Sequence, residues 1–450
     1  MANTYLTRTA GTPTSTQKGT FSAWVKRSSS ADARIFTSWG GGSRQFWLNF
    51  QTDSTDSHIS IADYDGSYNF RYLTNRKFRD FSAWYHIVFA IDTTLGTAGD
   101  RVKLYINGVQ ETSFSVSTAP SQNQVLNFAT SGDAHIIGKR DAEEYFNGSM
   151  SYVAFIDGKQ ELPTIFGETD ATTGEWKIKT TITPTSGWGN NGFFILKNGN
   201  SVTDQSGNSN NFTVGGGTLT KTEDCPDNNF ATMNPLDNYF ANSTFTNGNL
   251  SIATTTANDT FNNSTLGYST GKFYWEIKSI QASTNNYDQI GITSKGSTAA
   301  NNYMSASLYS VVLKQNGTLF QNAGSGSGAV GGWSGSSWTT GDIIGIAHDA
   351  TNNKIYFHKN GVYMNSGNPS TGANGITTTA SSSTDTGFWL AGVGDEISSG
   401  TASQFALNFG NGYFGTTAVS SAGSNASGIG IFEYDVPTGF TALSTKGLNE

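Results

Sequence analysis

Along its whole length the chain switches between two textures. Short apolar or strictly alternating runs are separated by clusters of Gly, Asn, Asp, Ser and Pro. No segment sustains the 3.6-residue apolar period of an amphipathic helix, so helix should be scarce. Runs this short are strands: alternate side chains share a face, and each sheet needs a second sheet to cover its apolar side. Composition agrees. Gly is 53 of 450 residues and charged residues are 13% of the chain, which disfavours long helices, while 13% aromatic residues disfavour disorder. With 26 basic and 34 acidic residues the net charge is −8, and no basic block stands out, so nucleic acid is not an expected partner. No run of membrane-spanning length is apolar, so no insertion into a membrane is expected. The N-terminal residues 1–8 lack the apolar core of a secretory signal. Cys225 is the single cysteine and follows Glu223 and Asp224, a setting for a half-buried, unreactive thiol.

The strands group into two units. In the first, Phe21, Ala23 and Val25 alternate onto one face, residues 46–50 form a second strand, and Ile59 and Ile61 share a side of a third. Residues 84–91 are almost continuously apolar, the mark of a central strand covered on both faces. Residues 102–106 run into Asn107-Gly108, the positive-φ pair of a tight type I′ hairpin. These features place a first sandwich at residues 1–160. Residues 161–234 then read as a connector with short strands, one helical turn near 161–166 and a flexible break at Gly215-Gly216-Gly217. A second sandwich follows at 235–425, and 426–450 reads as a C-terminal tail. Its strands include 272–277, 343–347, 354–357 and 405–409, with Asn360-Gly361 as a second tight turn. Each unit repeats one order: a buried run, a loop, a Lys-(Leu/Ile)-Tyr strand, Asn-Gly and Val. The expected fold is all-β, two tandem jelly-roll sandwiches.

Particular residues carry a resemblance. Phe21-Ser22-Ala23-Trp24-Val25, Trp84-Tyr85-His86-Ile87-Val88, Leu104-Tyr105-Ile106-Asn107-Gly108-Val109 and Phe146-Asn147-Gly148-Ser149-Met150 together resemble a laminin-G-like domain, of concanavalin A-like fold, over residues 1–160. Gly271-Lys272-Phe273-Tyr274-Trp275-Glu276, Ile290-Gly291-Ile292, Trp338-Thr339-Thr340-Gly341-Asp342 and residues 354–362 resemble a SPRY domain over about 235–415. Residues 204–212, 229–237 and 437–445 resemble segments of structural proteins of tailed bacteriophages. These resemblances imply a virion component that displays glycan-binding or protein-binding sandwiches.

A search for chemistry finds little. Jelly-roll glucanases place paired carboxylates on one strand face, as in Glu-x-Asp-x-x-Glu, and that spacing is missing. The acidic cluster Asp141-Ala142-Glu143-Glu144 sits in a loop, and Glu276 stands as a lone strand-end acid. His58, His86, His135, His348 and His358 have no ligand-like spacing and suit hydrogen-bonded structural roles. No cofactor is expected. Calcium is the one ion that the first-unit loop acids Asp53, Asp56, Asp63, Asp65, Asp92 and Asp100 would suit, as some laminin-G-like domains hold it. Glycan binding needs aromatic faces beside amides and charged groups. The residues with those ingredients are Trp39 with Arg44, the stretch holding Tyr64, Asp65, Tyr68, Asn69 and Arg71, and Trp333.

The reading is a non-enzymatic virion protein on the exterior of a phage particle. Its expected role is that of a tail-fibre or receptor-binding component whose partners are host surface glycan and other virion proteins. It should be a homo-oligomer, with a trimer as one form. The alternative is a capsid decoration or head-fibre protein. The missing carboxylate motif speaks against a glycan-cleaving tailspike, and the missing signal against a bacterial adhesin.

Overall fold

The first unit's strands, in chain order, are β1 (Tyr5–Thr9), β2 (Lys18–Arg27), β3 (Ala33–Trp39), β4 (Arg44–Asp53), β5 (Asp56–Asp65), β6 (Tyr68–Thr74), β7 (Trp84–Asp92), β8 (Val102–Ile106), β9 (Val109–Glu111), β10 (Phe114–Thr118), β11 (Ala134–Ile137), β12 (Gly148–Asp157), β13 (Gly167–Thr169), β14 (Trp176–Ile178), β15 (Phe193–Ile195) and β16 (Thr213–Gly216). This computed structural model describes residues 3–449 apart from 54–55, 141–142, 198, 200, 238–242, 256–258, 295–302 and 397–399. It divides into unit 1, Met1–Lys221, and unit 2, Thr222–Glu450. The described residues hold no α-helix, only three-residue 3-10 turns such as Pro163–Ile165.

Unit 1 packs an eight-stranded sheet, ordered β10-β6-β5-β4-β3-β11-β1-β16, on a six-stranded sheet, β15-β12-β2-β7-β8-β9. The alternation expected from the sequence fills the space between them. Phe21, Ala23 and Val25 of β2 and Ile87, Phe89 and Ile91 of β7 meet Phe46, Leu48 and Phe50 of β4 and Ile59 and Ile61 of β5. Asn107 and Gly108 have φ of 49° and 78°, the type I′ turn that their sequence demands.

The central strand β7 is covered on its second face too. Val88 packs with Tyr105, Ala154, Ile156, Phe166 and Phe194. Phe166 and Phe194 come from the stretch read as a connector, so that boundary is corrected: residues up to 221 complete unit 1. β15 pairs with β12, and β16 pairs with β1. Gly215 and Gly216 are not a flexible break but lie in β16, where a Cβ on Gly215 would fall 2.2 Å from the Tyr5 ring. The β13–β14 hairpin lays Trp176 on His86, whose other side stacks on Trp24 with centroids 4.7 Å apart. The Trp176 indole N–H donates to His86 Nδ1 at 2.9 Å, so Nε2 carries the ring proton and donates to Ser22 Oγ, also 2.9 Å away. Burial pushes this imidazole down to about 3. His135 and His348 are likewise buried and hydrogen-bonded, in line with the structural roles expected for the histidines.

Unit 2 continues with β17 (Thr244–Thr246), β18 (Ser251–Ala253), β19 (Thr260–Tyr268), β20 (Lys272–Gln281), β21 (Asp288–Thr293), β22 (Ser310–Lys314), β23 (Leu319–Asn322), β24 (Ser327–Ala329), β25 (Ile343–Asp349), β26 (Lys354–Lys359), β27 (Val362–Tyr363), β28 (Ile376–Thr377), β29 (Trp389–Asp395), β30 (Gln404–Asn408), β31 (Tyr413–Phe414), β32 (Thr417–Ala418) and β33 (Thr441–Ala442). One sheet runs β17-β18-β30-β20-β25-β26-β27, with β28 on β26 and β33 on β20; the other runs β19-β29-β21-β22-β23-β24. Phe273, Trp275 and Ile277 of β20 and Ile344 and Ile346 of β25 face Ile290 and Ile292 of β21 in the core. The two units are thus tandem jelly-roll sandwiches, as expected.

The segment 426–450 is not a free tail. Phe432, Val436, Phe440 and Ala442 pack with Tyr274, Ala347 and Tyr356 on the outer side of β20, β25 and β26. Its anchor is Glu276, which is no solvated strand-end acid but wholly buried in mid-strand. Its carboxylate accepts the backbone N–H groups of Glu433 at 2.9 Å and Tyr434 at 2.8 Å, the Tyr274 hydroxyl at 3.0 Å and Asn408 Nδ2 at 3.3 Å. His358 sets the direction of this chain. Its Nδ1 accepts the Gly361 N–H, so Nε2–H points to the Tyr274 oxygen at 2.7 Å, leaving the tyrosine proton for Glu276. The upstream residues 229–231 pair with the same closing segment, Ala231 N–H donating to Leu443 O and Thr445 N–H to Asn229 O.

Two outcomes follow. A fragment of residues 1–221 should unfold cooperatively in a thermal melt, whereas 1–160, with Val88, Ala154 and Ile156 uncovered, should aggregate; equal behaviour would contradict the covering role of 161–221. Burial pushes Glu276 from 4.5 up to about 7, so the stability it contributes is complete below 4.5 and lost as pH rises through 7. Urea unfolding should therefore show the wild type losing on the order of 3 kcal/mol relative to Glu276→Gln between pH 4.5 and 8. Parallel pH profiles would refute this.

Candidate functional site

Because Phe46, Leu48 and Phe50 point into the core, Gln45, Trp47 and Asn49 of β4 must point out. Residues directly opposite in an antiparallel sheet share a face. The register therefore assembles three rows on the outer face of the eight-stranded sheet. One is Trp39, Gln45, Tyr64 and Tyr68; the next is Thr37, Trp47, Ala62 and Arg71; the third is Arg34, Asn49, Ser60 and Leu73.

Trp47 is the floor, 9% exposed, and Tyr68 stands edge-on to it at 6.0 Å, 46% exposed. Tyr64 lies 5.2 Å from Tyr68, again edge to face. The Arg71 guanidinium covers the Tyr68 ring at 5.1 Å, and that of Arg34 covers Trp47 at 4.8 Å. Burial lowers the pKa of Arg34 while Glu144, its ion-pair partner, raises it. Four enclosed polar atoms on this face have no hydrogen-bond partner among the described residues: Arg34 Nη1, Gln45 Oε1, Asn49 Oδ1 and Arg71 Nε. Buried polar groups are nearly always satisfied, and leaving one bare costs about 1–3 kcal/mol. These atoms lie beneath the surface, and the accessible groups of the face are the Tyr68 and Tyr64 rings.

The sequence-derived candidates divide on this geometry. Trp39, Tyr64, Tyr68 and Arg71 share the face. Arg44 is turned away and paired with Asp133. Asp65 is exposed at the turn that Gly66 makes with φ 103°. Asn69 falls beside a register shift between Asp63 and Tyr64, donates to Asp63 Oδ1 at 2.7 Å and accepts from Gln124. Asp63 is itself buried and also takes the Asn127 N–H and Nδ2; burial lifts it to about 6. Trp333 lies in unit 2, its indole donating to Gly317 O at 2.9 Å and its ring edge-on to Phe357. Trp47, Gln45, Asn49 and Arg34 were overlooked. The signal was the alternation of residues 46–50 itself.

Four of the loop acids that would suit calcium have basic side chains beside them. Asp56 holds Lys77 and Arg79, Asp92 holds Lys18, Asp100 holds Lys103 and Asp53 holds His58. Among the described residues no three His, Cys, Asp or Glu side chains converge as metal ligands. Asp141 and Ala142 lie outside the described residues, while Glu143 and Glu144 pair with Arg140. The fold does bring together two carboxylates that no local spacing shows. Asp288 and Asp395 face each other across β21 and β29, but both are wholly buried and bonded to Ser403 and Thr254, out of reach of a sugar.

Residues 1–165 match the sequence profile of a family described as the concanavalin A-like lectin/glucanases superfamily, so unit 1 has a fold compatible with carbohydrate binding. No curated protein matches the chain by sequence. Solved structures similar to it include the SPRY domain of human HERC1, at 16% identity, TM-score 0.29, covering 39% of this chain and 96% of that one. A heptameric SAP-like pentraxin from Limulus polyphemus is similar at 15% identity and TM-score 0.27, covering 36% and 72%. So is domain 4 of AbnA, an extracellular arabinanase from Geobacillus stearothermophilus in complex with arabinotriose, at 18% identity and TM-score 0.25, covering 32% and 63%.

The face predicts an asymmetry. Tyr68→Ala removes an exposed ring and should shift stability by less than about 1 kcal/mol, whereas Trp47→Ala empties the floor and should cost about 3 kcal/mol. Chemical denaturation of both variants checks this, and equal losses would show that Tyr68 is a packing residue.

Proposed function

We propose that the chain is a non-catalytic carbohydrate-binding protein that works through the outer face of the unit 1 eight-stranded sheet. The carrying observation is the single face on which the register gathers Trp39, Trp47, Tyr64, Tyr68 and Arg71, with the Tyr68 ring exposed. A pyranose laid on Tyr68 or Tyr64 stacks its C–H face on the ring. Such a site is shallow and its single-site affinity weak, so binding is effective when several copies engage one surface.

We place this activity on the exterior of a tailed-phage particle, as a tail-fibre or receptor-binding component that engages host surface glycan as a homo-oligomer. The segments 204–212, 229–237 and 437–445, which resemble phage structural proteins, support this setting, and the SPRY-like unit 2 suits contacts with other virion proteins. The test is binding of purified protein to intact host cells beside blocking of phage adsorption. Saturable binding that blocks adsorption and falls at least tenfold in Tyr68→Ala, with folding intact, is the expected result. Association with empty capsids without cell binding would overturn attachment in favour of capsid decoration.

A further inference from the structure

We infer that the ligand of this face is a linear oligosaccharide, laid across the strands from Tyr68 to a polar cavity at the far edge of the same sheet. The inference rests on the carbohydrate-binding reading and adds the length of chain that is read. The register carries the row of Tyr68, Tyr64, Gln45 and Trp39 on beyond β3. Trp39 lies opposite Ala134 of β11, and Ala134 opposite Thr9 of β1. Leu6 and Ile137 point into the core, so Thr7 and Thr9 share the outer face with Trp39. No residue of this row is buried. Tyr68 and Thr9 are exposed at its ends, and Tyr64, Gln45, Trp39 and Ala134 are half-buried between them. The row beside it is different: Ala62, Trp47, Thr37 and Ile136 are all buried. There Thr37 Oγ1 donates to Lys139 O at 3.1 Å, and the Arg34 guanidinium lies over Trp47. The face is open along one line and covered along the next.

At Thr9 the open line meets a cavity of about 460 Å³, lined by Thr7, Thr9, Ser209, Asn210, Asn211 and Thr213. That volume is within the range of small-molecule sites. Its lining is hydroxyl and amide. The Arg8 guanidinium in its wall is spent within unit 1, donating to Asn210 Oδ1 at 2.6 Å and to Asn191 O at 3.4 Å. Asn211 Oδ1 accepts the Asp204 N–H at 2.9 Å, which leaves its Nδ2 as a donor to a ligand. The exposed Thr9 hydroxyl both donates and accepts. One end of the line therefore stacks a sugar ring, and the other bonds sugar hydroxyls. Tyr64 on β5 is separated from Thr9 on β1 by β4, β3 and β11, a span of about 19 Å at ~4.8 Å per strand. Each linked pyranose advances a chain by roughly one strand spacing, so about four or five rings join the two ends and a single ring cannot.

The experiment is calorimetric titration of the full-length chain with linear gluco-, manno-, galacto- and N-acetylglucosamine oligosaccharides of increasing length. In the series that binds, affinity should rise at least tenfold from disaccharide to pentasaccharide and then level off. Tyr68→Ala should weaken binding at every length. The double variant Thr7→Val, Thr9→Val removes two hydroxyls at constant side-chain shape and should cut the gain from di- to pentasaccharide at least fivefold, with an unchanged melting temperature confirming its fold. Equal affinity for disaccharide and pentasaccharide, still lost in Tyr68→Ala, would overturn the extended ligand while leaving the carbohydrate reading intact. A length gain untouched by the double variant would also overturn it, since the added rings would then lie off this line. No binding in any series would remove both.

Discussion

Phe46 sits where four other phenylalanine rings meet: Phe36, Phe70, Phe89 and Phe128 all lie within 6.3 Å of it, centroid to centroid. Two of these, Phe36 and Phe70, belong to strands of its own sheet, and Phe89 comes from the facing one. A slip of β4 by one residue would drive Trp47 and Asn49 into this cluster and throw Phe46, Leu48 and Phe50 into water. The core therefore holds the register, and the register holds the outer face. Trp47, Gln45, Arg71 and Tyr68 stand together because the residues between them have nowhere else to go. A site built this way is positioned by the most stable part of the unit rather than by its loops.

Both units solve a second problem in the same way. Each has a sheet that is apolar on its outer side, and each covers it with chain from the unit's C-terminal part. In unit 1 this is the stretch that carries Phe166, Trp176 and Phe194; in unit 2 it is the stretch that carries Phe432 and Phe440. In both, a buried polar group on a central strand meets a group arriving with the cover: His86 meets the Trp176 indole, and Glu276 the Glu433 and Tyr434 amides. Apolar contact alone would let such a cover slide. A buried donor or acceptor with one matching partner gives it a single seat, since any other leaves the group unsatisfied.

The fold was largely legible. The alternation of Phe21, Ala23 and Val25 and the Asn107-Gly108 pair encode the strand face and the turn in neighbouring residues, and the structure follows them. Much of the site was half legible. Tyr64, Tyr68 and Arg71 stood out for their side-chain types, yet Asn69 beside them turns away because a register shift intervenes, which no local pattern announces. Trp47 was hidden by the strand around it, since an aromatic residue in an apolar run looks like core until its parity is counted. Glu276 and Gly215 were misjudged for one reason: their partners, Tyr434 and Tyr5, lie more than a hundred residues away in the chain.

The division has a physical basis. Strand identity, turn type and the choice of inward face follow from side-chain alternation and from the few residues that tolerate positive φ, and these act over two to four neighbouring positions. Composition likewise limits what the sequence offers, with no apolar run of membrane-spanning length and no basic block. Pairing is different. Arg44 and Arg71 are chemically identical, yet folding carries Asp133 to the first and sets the second between Ala62 and Thr118 with the Tyr68 ring beside it. Which polar groups are satisfied, which covers seat on which sheet, and which charge is left facing outward are long-range outcomes. They arise when distant strands come into register, and neighbouring residues carry no trace of them.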